Sequence, residues 1–234
     1  MNVGIIGYGK MGKMIYEVAS RRGHNIGIIL NEPNWQSQEV AGLDVVIEFT
    51  NPESAVDNIK KCFTEKVPIV VGSTGWYAHY DQVVALCKKN NHALLTATNF
   101  SIGVNIFWHL NKKLAEIMNE RDDYQVKVKE VHHTEKLDSP SGTAITTAEI
   151  LIDQIDRYSS WIESDKQDET ITIESCREPN VPGTHTVAYK NEIDEISFTH
   201  KANNRKGFAL GAVLAAEFLQ DKTGVYQMKD LIKF

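Results

Sequence analysis

The chain of 234 residues lacks long hydrophobic runs, an excess of positive charge and the paired cysteines of a disulfide-bonded protein. Its three cysteines, Cys62, Cys87 and Cys176, form no C-x-x-C pair, which disfavours a disulfide framework and is typical of a reducing compartment. The longest apolar stretch, residues 207–219, contains Glu217 and is too short to cross a bilayer. The net charge of −6 provides no general attraction for nucleic acid or for an anionic membrane. Because no basic segment precedes the first apolar run, we expect a cytoplasmic protein without a signal peptide, a nucleic-acid partner or a membrane.

The first hundred residues alternate between short apolar runs and longer stretches with helical periodicity. The apolar runs predict buried parallel strands at residues 3–6, 26–30, 45–49, 69–71 and 93–96. The periodic stretches predict helices at residues 11–22, 52–66 and 79–90, and polar residues 32–42 predict a connection without a full helix. This alternation predicts an α/β fold whose N-terminal part is a Rossmann-type, doubly wound parallel sheet.

After Asn99 the pattern changes to that of a second, α+β domain. The periodicity predicts helices at residues 104–118 and 141–155, and a mobile loop at the polar residues 159–170. Alternating residues predict hairpin-like, antiparallel strands at 124–133, 170–176, 184–189 and 193–200. A last apolar helix at 207–219 is predicted to return to the first domain. The predicted division is therefore residues 1–103 plus 206–234 for a dinucleotide-binding domain and residues 104–205 for the second domain.

A G-x-G-x-x-G motif follows the first predicted strand and opens the first predicted helix. In this setting the first glycine makes a tight turn, the second lets the backbone approach a pyrophosphate, and the third lets helix and strand pack closely. The amino end of the helix then offers unpaired N–H groups to the phosphates. The motif predicts a dinucleotide site, with a glycine-rich turn of another α/β protein as the alternative. The loop residues are Gly7, Tyr8, Gly9, Lys10, Met11 and Gly12.

Further candidate cofactor residues follow the other strands of the predicted sheet, at the edge where ligands bind in open parallel sheets. The second strand ends at Asn31-Glu32, and an acidic residue there would bind the ribose hydroxyls of NADH. No arginine is adjacent to bind a 2′-phosphate, although Lys10 could contribute to one, so both NADH and NADPH stay open with a preference for NADH. The two later loops contribute Gly72, Ser73, Thr74, Ala97, Thr98, Asn99 and Phe100.

The segment from Glu130 to Ala144 concentrates groups suited to a small polycarboxylate. His132 and His133 can donate protons or bind anions near neutral pH, and Lys136 can do both. The run Ser141-Gly142-Thr143 begins a predicted helix with Ser141 as its N-cap. A carboxylate at that helix start would receive backbone N–H bonds and the Thr143 hydroxyl.

The same segment, EVHHTEKLDSPSGTA, resembles the motif E-x-HH-x-x-K-x-D-A-P-S-G-T-A of the dihydrodipicolinate reductase (4-hydroxy-tetrahydrodipicolinate reductase) family. The resemblance extends almost end to end, through the glycine loop, the Gly72–Gly75 loop, the run beginning at Asn99 and the run from His200 to Arg205. Departures from the family pattern include a shorter first loop. The others are Lys10 where arginine is usual, Asn31 where an acid is common, Thr98 for proline and Ser139 for alanine.

The resemblance implies a reductase that transfers hydride from NADH or NADPH to a cyclic dicarboxylic imine, giving tetrahydrodipicolinate in lysine and diaminopimelate biosynthesis. It implies that His132 is a proton donor and acceptor, that Lys136 is a proton donor, and that His133, Gly142 and Thr143 bind the substrate. Arg205 is a further candidate. The resemblance also implies a homotetramer assembled through the second domain, which would bind substrate and mediate oligomerisation.

Two other functions and a metal site are weighed beside the reductase. A semialdehyde-type dehydrogenase needs a cysteine thiolate, but all three cysteines are predicted to lie in packed helices or strands. A nucleotide-sensing protein without catalysis would not need the histidine and lysine set. The remaining histidines are scattered, with His185 and His200 predicted to be structural, so we expect no metal.

Overall fold

The computed structural model describes residues 1–163 and 167–234, which form two compact units. The first contains Met1–Ile102 and Lys206–Phe234, and the second contains Gly103–Arg205. The second unit therefore starts one residue before the predicted boundary at 104. Part of the predicted loop at 159–170 is a short strand, Ser160–Ile162, whereas residues 164–166 of that loop lie outside the described residues.

The first unit is built on a six-stranded parallel sheet, as the alternating pattern predicts. The strands are β1 (Asn2–Ile6), β2 (Asn25–Leu30), β3 (Val45–Glu48), β4 (Ile69–Val71), β5 (Ala93–Thr96) and β11 (Gly224–Tyr226). Their order in the sheet is β11-β5-β4-β3-β1-β2. The three-residue strand β11 was not predicted, because its short sequence between turn residues shows no period.

Helices connect and cover these strands. They are α1 (Lys10–Arg21), α2 (Pro52–Thr64), α3 (Tyr80–Lys89), α6 (Lys206–Leu219) and the short α7 (Met228–Ile232). At the start of α2, Asn51 Oδ1 accepts from Ser54 N at 2.9 Å. Pro52 lies in the first turn, where a backbone N–H has no acceptor within the helix, so the missing N–H of proline does not destabilise it. The connection at residues 32–42 contains a single 3₁₀ turn, Ser37–Val40, so the prediction of no full helix there is confirmed.

Alternate residues of the central strands supply two separate hydrophobic clusters. Ile5 and Ile47 belong to one cluster with α1 and α6, whereas Ile6 and Val46 belong to the other with α2 and α3. Since successive strand residues point to opposite faces, the sheet is buried on both sides. This explains why its strands are continuous apolar runs in the sequence.

The second unit contains a five-stranded mixed sheet in the order β10-β9-β6-β8-β7. Its elements are α4 (Ile102–Met118), β6 (Gln125–His132), α5 (Gly142–Gln154), β7 (Ser160–Ile162), β8 (Thr170–Arg177), β9 (Thr184–Lys190) and β10 (Glu195–Lys201). Strands β6, β9 and β10 pair antiparallel, as predicted. The antiparallel prediction for residues 170–176 is wrong, because β8 runs parallel to both β6 and β7. The helix α5 lies between β6 and β8 in the chain and returns it to the same end of the sheet, which makes the pair parallel.

One face of this second sheet is buried and the other is exposed. Along β6, Val126, Val128 and Glu130 are buried, while Lys127 and Lys129 are exposed. Helix α5 covers the buried face through Ala144, Ala148 and Leu151. No helix among the described residues is long and apolar enough to cross a membrane.

Candidate active site

The glycine loop between β1 and α1 has the geometry that dinucleotide binding requires. Gly7 has a φ of +91°, and a Cβ there would lie 2.2 Å from the Phe49 carbonyl oxygen. A Cβ on Gly12 would lie 2.0 Å from the Gly7 carbonyl oxygen, so neither position accepts a side chain. Gly9 differs, because a Cβ there would meet no atom within 4 Å. The open space over Gly9 lets a phosphate approach its backbone, which fits a dinucleotide.

The start of α1 supports this interpretation. Gly9 is the N-cap and supplies no side-chain hydrogen bond to the first turn. The N–H groups of Lys10, Met11 and Gly12 are thus at a helix start without a capping side chain, and their orientation favours an anion.

A cavity of about 410 Å³ adjoins the loop and collects the candidates that follow β1 and β2. Gly7, Tyr8, Gly9, Asn31 and Glu32 all line it. Asn31 Oδ1 accepts from Tyr8 N at 2.9 Å, so Asn31 fixes the glycine loop to the end of β2. Among the described residues that line the cavity there is no lysine or arginine, and Glu32 is the charged one.

The candidates after β4 and β5 lie outside the lining of this cavity. The ring of Phe49 lies over Gly72, where a Cβ would come within 2.1 Å of it. Phe49 also packs against Phe100 with ring centroids 5.6 Å apart. Asn99 is buried, and its Oδ1 accepts from Ser101 N at 2.9 Å. These loops follow β4, which pairs with β3, and β5, which pairs with β4, at the carboxyl edge of the sheet, where Thr74, Ala97 and Thr98 also lie.

The second candidate group lies in the other unit, where β6 ends and α5 begins. His132 is the last residue of β6. Ser141 is the N-cap of α5, as predicted, and its Oγ accepts from Ala144 N at 3.2 Å. A Cβ on Gly142 would meet nothing within 4 Å, which leaves open space over the first turn of α5 beside Thr143. This space can admit a carboxylate to the helix N–H groups.

Glu130 connects His132 to the start of α5. Its side chain is fully buried, and Oε1 accepts from Ser141 N and Ser175 Oγ, both at 3.0 Å. Oε2 lies 3.1 Å from His132 Nδ1 and 3.6 Å from His185 Nε2. Both imidazoles therefore lie within ion-pair distance of Oε2, although neither forms a well-aligned hydrogen bond with it. Burial alone would raise the pKa of Glu130, but the imidazoles of His132 and His185 and the donors of Ser141 outweigh it and hold the pKa well below its usual range.

One ion pair and one hydrogen bond hold the remaining predicted residues. Lys136 Nζ binds both carboxylate oxygens of Asp138, at 2.6 and 2.7 Å, so its ammonium is held in the loop before α5. Arg205 places a guanidinium nitrogen 2.9 Å from His133 Nε2. The structure therefore brings His133 together with Arg205, a pair 72 positions apart in the chain.

Sequence reasoning missed three residues of this group. The motif contains Glu130 but does not by itself indicate a role for it. His185 was predicted to be structural, yet its ring is 5.1 Å from that of His132, and its Nε2 lies 3.2 Å from Ser141 Oγ. Arg177 has a guanidinium nitrogen 3.6 Å from Glu130 Oε1 and donates to the Asp138 carbonyl at 2.7 Å. A buried acid at an inward-facing strand position was a usable signal for Glu130, whereas His185 and Arg177 are joined to the motif by strand pairing alone.

The same geometry bears on two alternatives. Atoms of Glu130, His132 and His185 lie within 4.8 Å of one another, close enough to hold a metal ion, although their mutual charge contacts account for the grouping without one. Burial raises the pKa of Cys62, and it raises that of Cys87 to about 11. Both thiols are buried in helices, which is unfavourable for a thiolate nucleophile.

The parallel sheet and its glycine loop define the class of protein, a Rossmann-type dinucleotide-binding enzyme with a second unit that holds acid–base groups. The family description "Dihydrodipicolinate reductase, N-terminus" matches residues 1–100, and "Dihydrodipicolinate reductase, C-terminus" matches residues 103–232. A 4-hydroxy-tetrahydrodipicolinate reductase of Christiangramia forsetii is 46% identical over 234 residues, covering 99% of this chain and 98% of that protein. One of Thermosipho africanus is 34% identical over 236 residues, covering 100% and 98%. The chain belongs to the dihydrodipicolinate reductase family.

Solved structures agree with this assignment at the level of the fold. A dipicolinate-bound dihydrodipicolinate reductase from Paenisporosarcina sp. TG-14 has a TM-score of 0.78 at 22% identity, covering 97% of each chain. Aspartate semialdehyde dehydrogenase II from Vibrio cholerae has a TM-score of 0.54 at 11% identity, covering 93% of this chain and 97% of its own. The prediction of an NAD(P)H-dependent 4-hydroxy-tetrahydrodipicolinate reductase of lysine and diaminopimelate biosynthesis is confirmed by the family and its full-length relatives.

Proposed function

We propose that His132 is the acid–base group of the reduction and that Lys136 supplies a proton to the reduced substrate. The observation that carries this proposal is the contact between His132 Nδ1 and the buried carboxylate of Glu130, at 3.1 Å. This contact directs Nδ1 inward, toward the carboxylate, which leaves Nε2 as the atom that exchanges a proton. Lys136, held by Asp138, is a second proton source in the same motif.

The start of α5 binds a carboxylate of the substrate in this proposal. The N–H groups of Gly142 and Thr143, in the first turn, receive the anion, and the open space over Gly142 admits it. His133 and Arg205 form a second, cationic group that suits the other carboxylate. A dicarboxylate thus has two distinct sets of donors in this unit.

Residues of the first unit hold the nucleotide, which supplies hydride from its reduced nicotinamide when bound. The N–H groups at the start of α1 and the exposed backbone of Gly9 bind the pyrophosphate. We infer a preference for NADH, since Glu32 lines the adjoining cavity and its carboxylate suits the ribose hydroxyls but repels a 2′-phosphate. Gly72–Thr74 and Ala97–Phe100 complete the nucleotide site from the neighbouring strands.

The exposed face of the second sheet is proposed as the oligomerisation surface, so that residues 104–205 bind substrate and assemble a homotetramer. A depression of about 680 Å³ crosses β6, β8 and β9 on this face, with Lys127, Lys129 and Glu174 along it. Glu174 forms ion pairs with both lysines, which offsets one of their two positive charges. We also propose a cytoplasmic location, in keeping with three free cysteines.

The acid–base roles are tested by His132→Gln and Lys136→Met in an assay of NADH and NADPH oxidation with enzymatically generated 4-hydroxy-tetrahydrodipicolinate. Each variant is expected to lose roughly 10²–10⁴ in kcat, the usual contribution of a positioned acid–base group. His79→Gln is the matched control, because His79 is exposed in the first unit. Near-normal turnover in both site variants would reject their roles.

A further inference from the structure

A second buried carboxylate, Glu48, lies beneath the nucleotide cavity and has no role in the mechanism above. It is the last residue of β3, and none of its surface is exposed. Burying a carboxylate is unfavourable unless hydrogen bonds compensate for the lost water. The donors around Glu48 therefore indicate what the residue does.

One oxygen of Glu48 accepts hydrogen bonds from three different segments. Oε1 accepts from Thr50 N at 3.0 Å and also from Thr50 Oγ1, both in the loop after β3. It accepts from Ser73 Oγ at 2.9 Å, in the loop after β4, and from Asn58 Nδ2 at 3.4 Å, on α2. Oε2 is buried and has no partner among the described residues.

These donors belong to the nucleotide site or lead directly to it. Thr50 and Asn58 line the cavity of about 410 Å³, and Ser73 is one of the candidate cofactor residues. Asn58 Oδ1 also accepts from the indole of Trp35 at 2.9 Å, and Trp35 lines the same cavity from the segment after β2. Glu48 thus binds the loops after β3 and β4 directly, and it is linked to Trp35, after β2, through Asn58.

Thr50 and Ser73 are further joined to each other, since Thr50 N also donates to Ser73 Oγ at 2.8 Å. Burial raises the pKa of Glu48, although the donors from Thr50, Ser73 and Asn58 oppose the shift. Oε1 accepts these bonds in either protonation state of the carboxyl group. What the site requires at position 48 is therefore an acceptor oxygen, with or without the charge.

We propose that Glu48 is a positioning residue for nucleotide binding, which acts by holding the loops after β2, β3 and β4 against the dinucleotide cavity through Oε1. The inference rests on the proposed function of that cavity. Glu48 itself does not line the cavity and touches neither nucleotide nor substrate.

Glu48→Gln and Glu48→Met separate positioning from simple packing. Glutamine keeps the acceptor oxygen, whereas methionine has similar length and no comparable acceptor. We expect Glu48→Met to weaken NADH binding by about tenfold or more, because buried donors lose their acceptor and the loops shift. Glu48→Gln is expected to stay within about threefold of the parent protein. Glu53→Met is the matched control, since Glu53 is exposed in the first turn of α2.

The measurements are NADH affinity by fluorescence of the reduced nicotinamide, without substrate, and KM for NADH, KM for substrate and kcat in the steady state. Positioning predicts a raised Kd and KM for NADH in Glu48→Met, with kcat and the substrate KM unchanged at saturating NADH. A folded Glu48→Met protein with parental NADH affinity would overturn the proposal, as would an equal loss of affinity in Glu48→Gln.

If Glu48→Met does not fold, Ser73→Ala decides the question, because it removes one donor to Oε1. It is expected to raise the KM for NADH by about threefold to tenfold and to leave the substrate KM unchanged. An unchanged KM for NADH in this variant would refute the proposal. Failure of the parent protein itself to bind NADH or NADPH would instead reject the proposed function of the cavity.

Discussion

Replacing Glu130 by glutamine tests the arrangement on which the proposed acid–base chemistry depends. The change keeps the size of the side chain and an oxygen that can accept from Ser141 N and Ser175 Oγ, each 3.0 Å from Glu130. It removes the negative charge that faces His132 Nδ1 at 3.1 Å and His185 Nε2 at 3.6 Å. The main expected effect is therefore on the interaction between this position and His132.

The magnitude follows from that distance. Two unit charges 3.1 Å apart attract by about 5 kcal/mol at an effective dielectric constant of about 20, which is an upper bound because desolvation offsets much of it. Measured contributions of hydrogen bonds to charged groups are about 1.5–3 kcal/mol. If the transition state loses that amount, kcat/KM for the substrate falls by roughly 10- to 150-fold.

The assay is oxidation of NADH with enzymatically generated substrate, together with NADH affinity measured by fluorescence. We expect Glu130→Gln to lower kcat/KM and to leave NADH affinity unchanged. The loss arises because His132 no longer faces a negative charge, while His185 and Arg177 still face position 130. Glu149→Gln, on the exposed side of α5, controls for loss of one negative charge.

Two results would refute this reasoning. One is a folded Glu130→Gln protein whose kcat/KM stays within about twofold of the parent, because the carboxylate would then contribute little to stabilising the transition state. The other is a loss of NADH affinity in Glu130→Gln, which would place the effect in the first unit.

Two further predictions concern nucleotide choice and acid stability. Glu32→Gln is expected to raise kcat/KM for NADPH relative to NADH by about tenfold, because a carboxylate lining the cavity no longer repels the 2′-phosphate; an unchanged ratio from parallel steady-state assays would exclude that role. Stability in urea is expected to fall as pH drops below about 6.5, since burial lowers the pKa of His185 and the unfolded chain then binds more protons. A further fall is expected below about 4.5, where the stability supplied by the lowered pKa of Glu130 is lost on protonation. His185→Gln should flatten the first decline, and a parental slope in that variant would contradict the assignment.

Most of the first unit was predictable from local pattern. Its parallel strands are buried on both faces, so they are visible as continuous apolar runs, and Gly7 and Gly12 mark a loop where a side chain cannot fit. The prediction was wrong for β8, where alternation revealed one wet face but not the strand's direction. The direction of β8 depends on the path of α5 across the sheet, and the sequence of β8 itself contains no signal for it.

The amino-acid sequence by itself determined the alternation of strands and helices, the position of the glycine loop, the N-cap at Ser141 and the family. Each of these depends on residues close together in the chain, where turn geometry, helix capping and burial period act directly. Only the tertiary structure decided that Glu130 faces both His132 and His185, that Arg205 meets His133, and that Glu48 accepts from Thr50, Ser73 and Asn58. These contacts form because strand pairing and burial bring distant segments together, and a buried carboxylate must collect its donors from whichever segments surround it.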